Sequence, residues 1–190
     1  MKKFLLSLFL LLSLAVTAAA AGTDVLTNAS LHNGVATDQT SYKVLFTSDP
    51  FPSGAQYAGH VGFVKNGAFI QINGNNSSAS DLVTIKSGGV AKSIKFVFNS
   101  GCLSRTVTVY GSNTAFADDS KGKGINLGTV SARGGATETL DLSKTPYQFI
   151  AINTNNATKI DKIEIEWVDL TPAGPVDVTP SFKDYTATFT

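Results

Sequence analysis

From Lys162 to Trp167 the sequence reads Lys-Ile-Glu-Ile-Glu-Trp, an unbroken alternation of charged and apolar side chains. A period of two suits an extended strand with one buried and one wetted face; a helix would repeat every 3.6 residues. The same alternation sets Ile94, Phe96 and Phe98 against Lys95, and Val107 and Val109 against Thr106, Thr108 and Tyr110. It predicts strands at Leu82 to Ile85, Ser93 to Phe98, Arg105 to Tyr110, Thr137 to Leu142, Gln148 to Asn153 and Lys159 to Val168. Less regular runs at Tyr42 to Phe46, His60 to Val64 and Ala68 to Ile72 are further candidates, and Pro50, Pro52 and Gly54 break this earlier region into loops. Gly, Asn, Ser and Asp punctuate the strands at intervals of roughly a dozen residues, the rhythm of an all-β, antiparallel β-sandwich. By strand phase Trp167 belongs to the core. Phe149 to Ile152 is apolar at every position, which predicts a central strand covered on both faces.

With 190 residues there is room for one domain, a leader and a tail. Hydrophobic residues make up 43% of the chain and charged ones 15%, so a packed core is affordable and disorder is disfavoured over most of its length. The 15 basic and 14 acidic residues nearly cancel, which leaves no electrostatic footprint for nucleic acid. Cys102 is the single cysteine, so no intrachain disulfide forms and Cys102 reads as a small buried hydrophobe.

Met1-Lys2-Lys3, the apolar run Phe4 to Val16 and the small residues Thr17 to Gly22 read as a secretory leader, residues 1–21, with Ala-x-Ala registers for cleavage after Ala20 or Ala21. The apolar run is shorter than the ~20 residues of a spanning helix, so no membrane span is expected after cleavage. No cysteine lies near that site to take a lipid. Loss of Lys2 and Lys3 turns 15 basic residues into 13 against 14 acidic ones, a formal charge of −1. The β-sandwich is expected over residues 22–168. Residues 169–181, with Pro172, Pro175 and Pro180, read as a stiff linker. In 182–190, Tyr185, Ala187 and Phe189 alternate with Thr186, Thr188 and Thr190, as at the start of a further, truncated β module.

Catalytic chemistry finds little to stand on. His32 and His60 are the only imidazoles and there is no Gly-x-Ser-x-Gly elbow. Glu164 and Glu166 lie two apart on a wetted strand face, spacing that suits solvation rather than an acid and a nucleophile facing each other. A small glycosidase or esterase would need carboxylates, or a His and a Ser, to converge in a cleft. Zinc would need several His or Cys ligands, which the chain lacks. Calcium takes oxygen ligands, and Asp118 and Asp119, with Ser120 and flexible Gly122 and Gly124, offer them in one loop, opposed by Lys121 and Lys123. Sugar recognition asks for a ring to stack on a pyranose and polar groups for its hydroxyls. Tyr57, Tyr110, Asn113 and Phe116 are the candidate carbohydrate-binding residues, with Asn73, Asn75 and Asn76 in a neighbouring loop.

The run Arg105 to Phe116 followed by Asp118-Asp119 resembles the signature of a jelly-roll-like β-sandwich module of secreted or surface Bacteroidota-type proteins. Asp24 to Thr27, Ser53-Gly54-Ala55, Tyr57-Ala58-Gly59, Ile70 to Asn73, Ser87-Gly88-Gly89 leading to Ile94-Lys95, Leu127-Gly128 and Ile163 to Trp167 extend it over about residues 24 to 168. Val61 to Gly67 departs from the pattern, so no family ligand residues transfer. The resemblance implies a jelly-roll, galactose-binding-like fold and a non-catalytic module beside other extracellular modules. The expected role is binding of an extracellular glycan, or adhesion to a surface protein, with no cofactor beyond the calcium option. A structural spacer without its own ligand is the alternative: exposed aromatics on one sheet would favour binding, a polar surface without a groove the spacer.

Overall fold

The computed structural model describes residues 21–31, 45–63, 69–73, 81–117 and 124–169. The leader before residue 21, His32, Asn75, Asn76, Asp118, Asp119, the linker after Asp169 and the tail lie outside them. The described residues form a two-sheet antiparallel β-sandwich. In chain order its strands are β1 (Gly22–Leu26), β2 (Leu45–Thr47), β3 (Gln56–His60), β4 (Gly62–Phe63), β5 (Ile70–Ile72), β6 (Leu82–Lys86), β7 (Val90–Phe98), β8 (Arg105–Ser112), β9 (Ile125–Ala132), β10 (Thr137–Asp141), β11 (Phe149–Thr154) and β12 (Thr158–Val168). One sheet runs β10-β7-β12-β5-β4, with β1 also paired to β12; the other runs β2-β3-β6-β11-β8-β9. From β5 onward the chain changes sheet at most connections, as a jelly roll does.

The six regular strands expected from alternation are present, and β11 is central, flanked by β6 and β8. Three strands escape the pattern, β1, β3 and β9, and the helical turn α1 (Asn28–Leu31) does too. Thr27 caps that turn reciprocally with Ser30: Ser30 N donates to Thr27 Oγ1 at 3.1 Å, and Thr27 N donates to Ser30 Oγ at 2.8 Å. The cap turns Leu31 into the core.

The core lies between the sheets. Ile94, Phe96, Phe98, Ile160, Ile163, Ile165 and Trp167 of the first sheet meet Tyr57, Leu82, Val107, Val109, Ile150 and Ile152 of the second. Each such side chain contributes about 1.5–3 kcal/mol when fully removed from water. Cys102 is buried and unpaired, so it serves as a hydrophobe.

The outer face of the first sheet is an ion-pair ladder. Strand phase sets Lys95 of β7 beside Glu164 of β12, and their charged groups lie 2.8 Å apart. Lys162 adds a second cation to Glu164 at 2.6 Å, while Glu166 takes Lys92 at 2.8 Å and the Ser93 hydroxyl at 3.1 Å. These lysines hold both glutamates below the usual carboxylate range, chiefly through hydrogen bonds. Glu164 and Glu166 thus act as surface charges compensated by lysine.

Candidate functional site

The four residues expected to bind sugar do not share one environment. Tyr57 is a correction: it is 1% exposed and belongs to the core. Its hydroxyl donates to Asp24 Oδ2 at 2.8 Å and accepts from Trp167 Nε1 at 3.1 Å. Ser53 donates to the same Asp24 carboxylate through its hydroxyl at 2.6 Å and its backbone N–H at 3.1 Å. Burial and the adjacent Asp24 hold the Tyr57 phenol well above its ordinary pKa, so it stays a donor. A ring so enclosed presents no face to a ligand. What Tyr57 does is tie β1, the Ser53 loop, β3 and β12 together, and it satisfies a buried carboxylate that would otherwise be costly.

Phe116 is also corrected. It is 8% exposed and packs in a second, smaller apolar cluster with Ala58, Val83 and Ala151, against which Ile85, Tyr110 and Phe149 lie. This cluster sits on the outer face of the second sheet, since Tyr57, Leu82, Ile150 and Val109 alternate with its members and point to the main core. The all-apolar run of β11 is thereby explained: Ile150 and Ile152 face the main core, Phe149 and Ala151 the outer cluster. Tyr110, on that outer face, is half-buried, and Asn113 is exposed in the loop just past β8. Of the four, Tyr110 and Asn113 retain access to solvent.

Strand register places further polar residues beside Tyr110. Ala151 pairs with both Val83 and Tyr110, and Val83 pairs with Ala58, which makes one row across the face. Two residues along each strand lies a polar row. Asn153 pairs with Thr108, Thr108 with Thr129, and His60 with Leu45 of β2. The register of β3 with β6, carried one step past Gly59–Leu82, sets His60 next to Asp81. The side chains of His60, Asp81, Asn153, Thr108 and Thr129 thus follow one another across the sheet.

Gly59 allows the close approach of β3 to Asp81. Its φ of 148° lies where side chains are disfavoured, and a Cβ there would strike the carbonyl oxygen of Asp81. Asp81 is 1% exposed, and Asn153 Nδ2 donates to its Oδ1. His60 Nδ1 is buried and has no hydrogen-bond partner. Pattern reading missed this row, because an Asn, a His and an Asp that stand far apart in sequence become neighbours only through pairing.

Chemically the face offers an amide, an imidazole, two hydroxyls and an aromatic ring on adjacent strands of one rigid sheet, with the buried Asp81 carboxylate fixing the Asn153 amide from beneath. Such groups donate and accept hydrogen bonds over a span several strands wide. Asp81 is the carboxylate in this row, and Glu164 and Glu166 stand on the opposite sheet, so the row does not pair two facing carboxylates. Among the described residues, no group of three or more His, Cys, Asp or Glu comes together to hold a metal ion. Among them, too, no helix is long and apolar enough to cross a membrane.

No family model and no curated protein match this chain. Among solved structures it is similar to one described as the X-ray structure of GH31 CBM32-2 bound to GalNAc, at 12% identity and a TM-score of 0.35, over 78% of this chain and 99% of that one. A likeness this slight says nothing about function, and the β-sandwich stands on its own strand order and pairing.

Proposed function

We propose that the chain is a secreted, non-catalytic β-sandwich module that binds extracellular carbohydrate on the outer face of its second sheet. The observation that carries this reading is the polar row His60, Asn153, Thr108 and Thr129, with buried Asp81 holding Asn153, running beside Tyr110 on a sheet face. A glycan presents alternating hydroxyls and apolar ring faces, and a row of polar side chains next to an aromatic complements that pattern. Asn153 and Asp81 are already ordered by their mutual hydrogen bond, which lowers the entropy lost on binding.

One observation weighs against the spacer alternative. Ala21 N donates to Asp169 Oδ1 at 3.0 Å, and Gly22 pairs with Trp167. Residues 21 and 169, at the two ends of the domain, lie side by side, so the domain adds no length between them. A spacer gains length only when its two ends lie apart.

A glycan-array screen of the full chain, run with calcium and again with chelator, tests the proposal. Selective binding to a defined set of glycans is expected in both buffers. A requirement for calcium would shift the site to the Asp118 and Asp119 loop, and a blank array from a cooperatively folded sample would contradict the proposal for the glycans presented.

A further inference from the structure

We propose that the leader is removed at the Ala20–Ala21 bond and that the α-ammonium so created becomes the partner of Asp169, closing β1 onto the end of β12. The inference rests on the reading of residues 1–21 as an export leader and goes beyond it to the bond that is cut and to what the new terminus does.

Two Ala-x-Ala registers compete, Ala18 to Ala20 and Ala19 to Ala21. They differ in what they leave on the folded domain. Gly22 is already the first ladder position of β1, opposite Trp167, and the pairing runs without interruption from there to Leu26 opposite Ile163. Cleavage after Ala21 would place the new positive charge on Gly22, within that ladder, and would delete the residue whose nitrogen reaches Asp169. Cleavage after Ala20 leaves the whole ladder intact with one residue outside it. That residue's nitrogen is the atom 3.0 Å from the Asp169 carboxylate, at an exposed position where a charge costs little.

Hydrolysis by the exporting cell's leader peptidase balances simply. The oxygen of water joins the Ala20 carbonyl carbon, the Ala20–Ala21 C–N bond breaks, and the Ala21 nitrogen leaves as an amine that takes up a proton. The released leader ends in a carboxylate. A neutral amide hydrogen bond thereby becomes a charge-assisted one, which is shorter and stronger. It holds β1, whose Asp24 anchors the Tyr57 and Ser53 network described above.

Two measurements on full-length protein exported from a secreting host test this. Intact mass with sequencing of the N-terminal peptide is expected to show a mature chain that begins at Ala21. A chain beginning at Gly22 or elsewhere overturns the inference and leaves export standing, whereas a retained leader overturns both. The second is thermal unfolding of an Asp169→Asn variant. Asn keeps an oxygen that accepts from a neutral amide, so only an ammonium partner feels the lost charge. A fall of about 1–3 °C in the unfolding midpoint is expected at low salt, and it should vanish in about 1 M salt and in protein acetylated at its α-amine. An equal fall in high salt or after acetylation would overturn the pairing.

Discussion

The two outer faces of this sandwich solve the same problem in opposite ways. On the β10-β7-β12 side, lysines and glutamates alternate with core residues and neutralise one another in water. On the β3-β6-β11-β8 side no lysine–glutamate pair is present among the described residues: an apolar cluster lies under Phe116, and a row of polar groups accompanies one buried carboxylate. The first arrangement keeps a sheet soluble and asks nothing of a ligand. The second keeps polar groups ordered and close to an aromatic ring, and leaves His60 Nδ1 unpartnered, at a cost to the free protein of about 1–3 kcal/mol for a buried unmet polar atom. The amide and hydroxyls of that face that reach solvent stand ready for a ligand, whereas on the ladder side Glu164 and Glu166 are already met by lysine.

The contrast can be broken by substitution, and the largest effect is expected at Gly59. Gly59→Ala drives a Cβ into the Asp81 carbonyl at a positive φ and should lower stability by roughly 3 kcal/mol or more, read as denaturant midpoint, because backbone must move. Phe116→Ala comes next, at about 3 kcal/mol, since it empties the small outer cluster. Its counterpart on the ladder side, Val25→Ala, acts on a residue 43% exposed and should stay within about 0.5 kcal/mol. If Phe116→Ala is as mild as Val25→Ala, the outer cluster is not packed as described.

The smallest effect belongs to the ladder itself. Lys95→Gln should cost about 0.2–1 kcal/mol at low salt and nothing measurable in 1 M salt. Its pH dependence has a definite sign. Glu164 and Glu166 are depressed in the folded state, so their contribution is complete above the ordinary glutamate range and fades as pH falls through it toward their lowered values. Unfolding midpoints recorded from pH 7 to pH 3 should therefore fall less steeply in the Lys95→Gln protein than in the parent.

How much of this was legible beforehand follows from the reach of each signal. Strands with one wet and one dry face announced themselves by alternation, and the all-apolar run of β11 announced its two covers. Strand β9 did not, because only Val130 and Ala132 of Ile125–Ala132 are buried and a bulge where Val109 is followed by Tyr110 breaks the register. Tyr57, set among the small residues Ser53, Gly54, Ala55, Ala58 and Gly59, was read as a candidate sugar-binding ring. Those small residues instead allow close packing, and the acceptor that gives Tyr57 its place, Asp24, lies 33 residues away. The polar row had no local signature at all. His60, Asp81 and Asn153 are joined by register, and register is a property of the folded sheet.

The central claim is that the second sheet's face, and not the first's, receives a glycan. Its most direct test is titration calorimetry of the full chain with a glycan selected on the array, comparing Asn153→Ala with Lys95→Gln, each checked for an intact unfolding transition. Asn153→Ala is expected to weaken binding about tenfold or more, on the order of 1.4 kcal/mol, while Lys95→Gln stays within about twofold of the parent. Equal affinity in the parent and Asn153→Ala proteins, or a loss confined to Lys95→Gln, would contradict it.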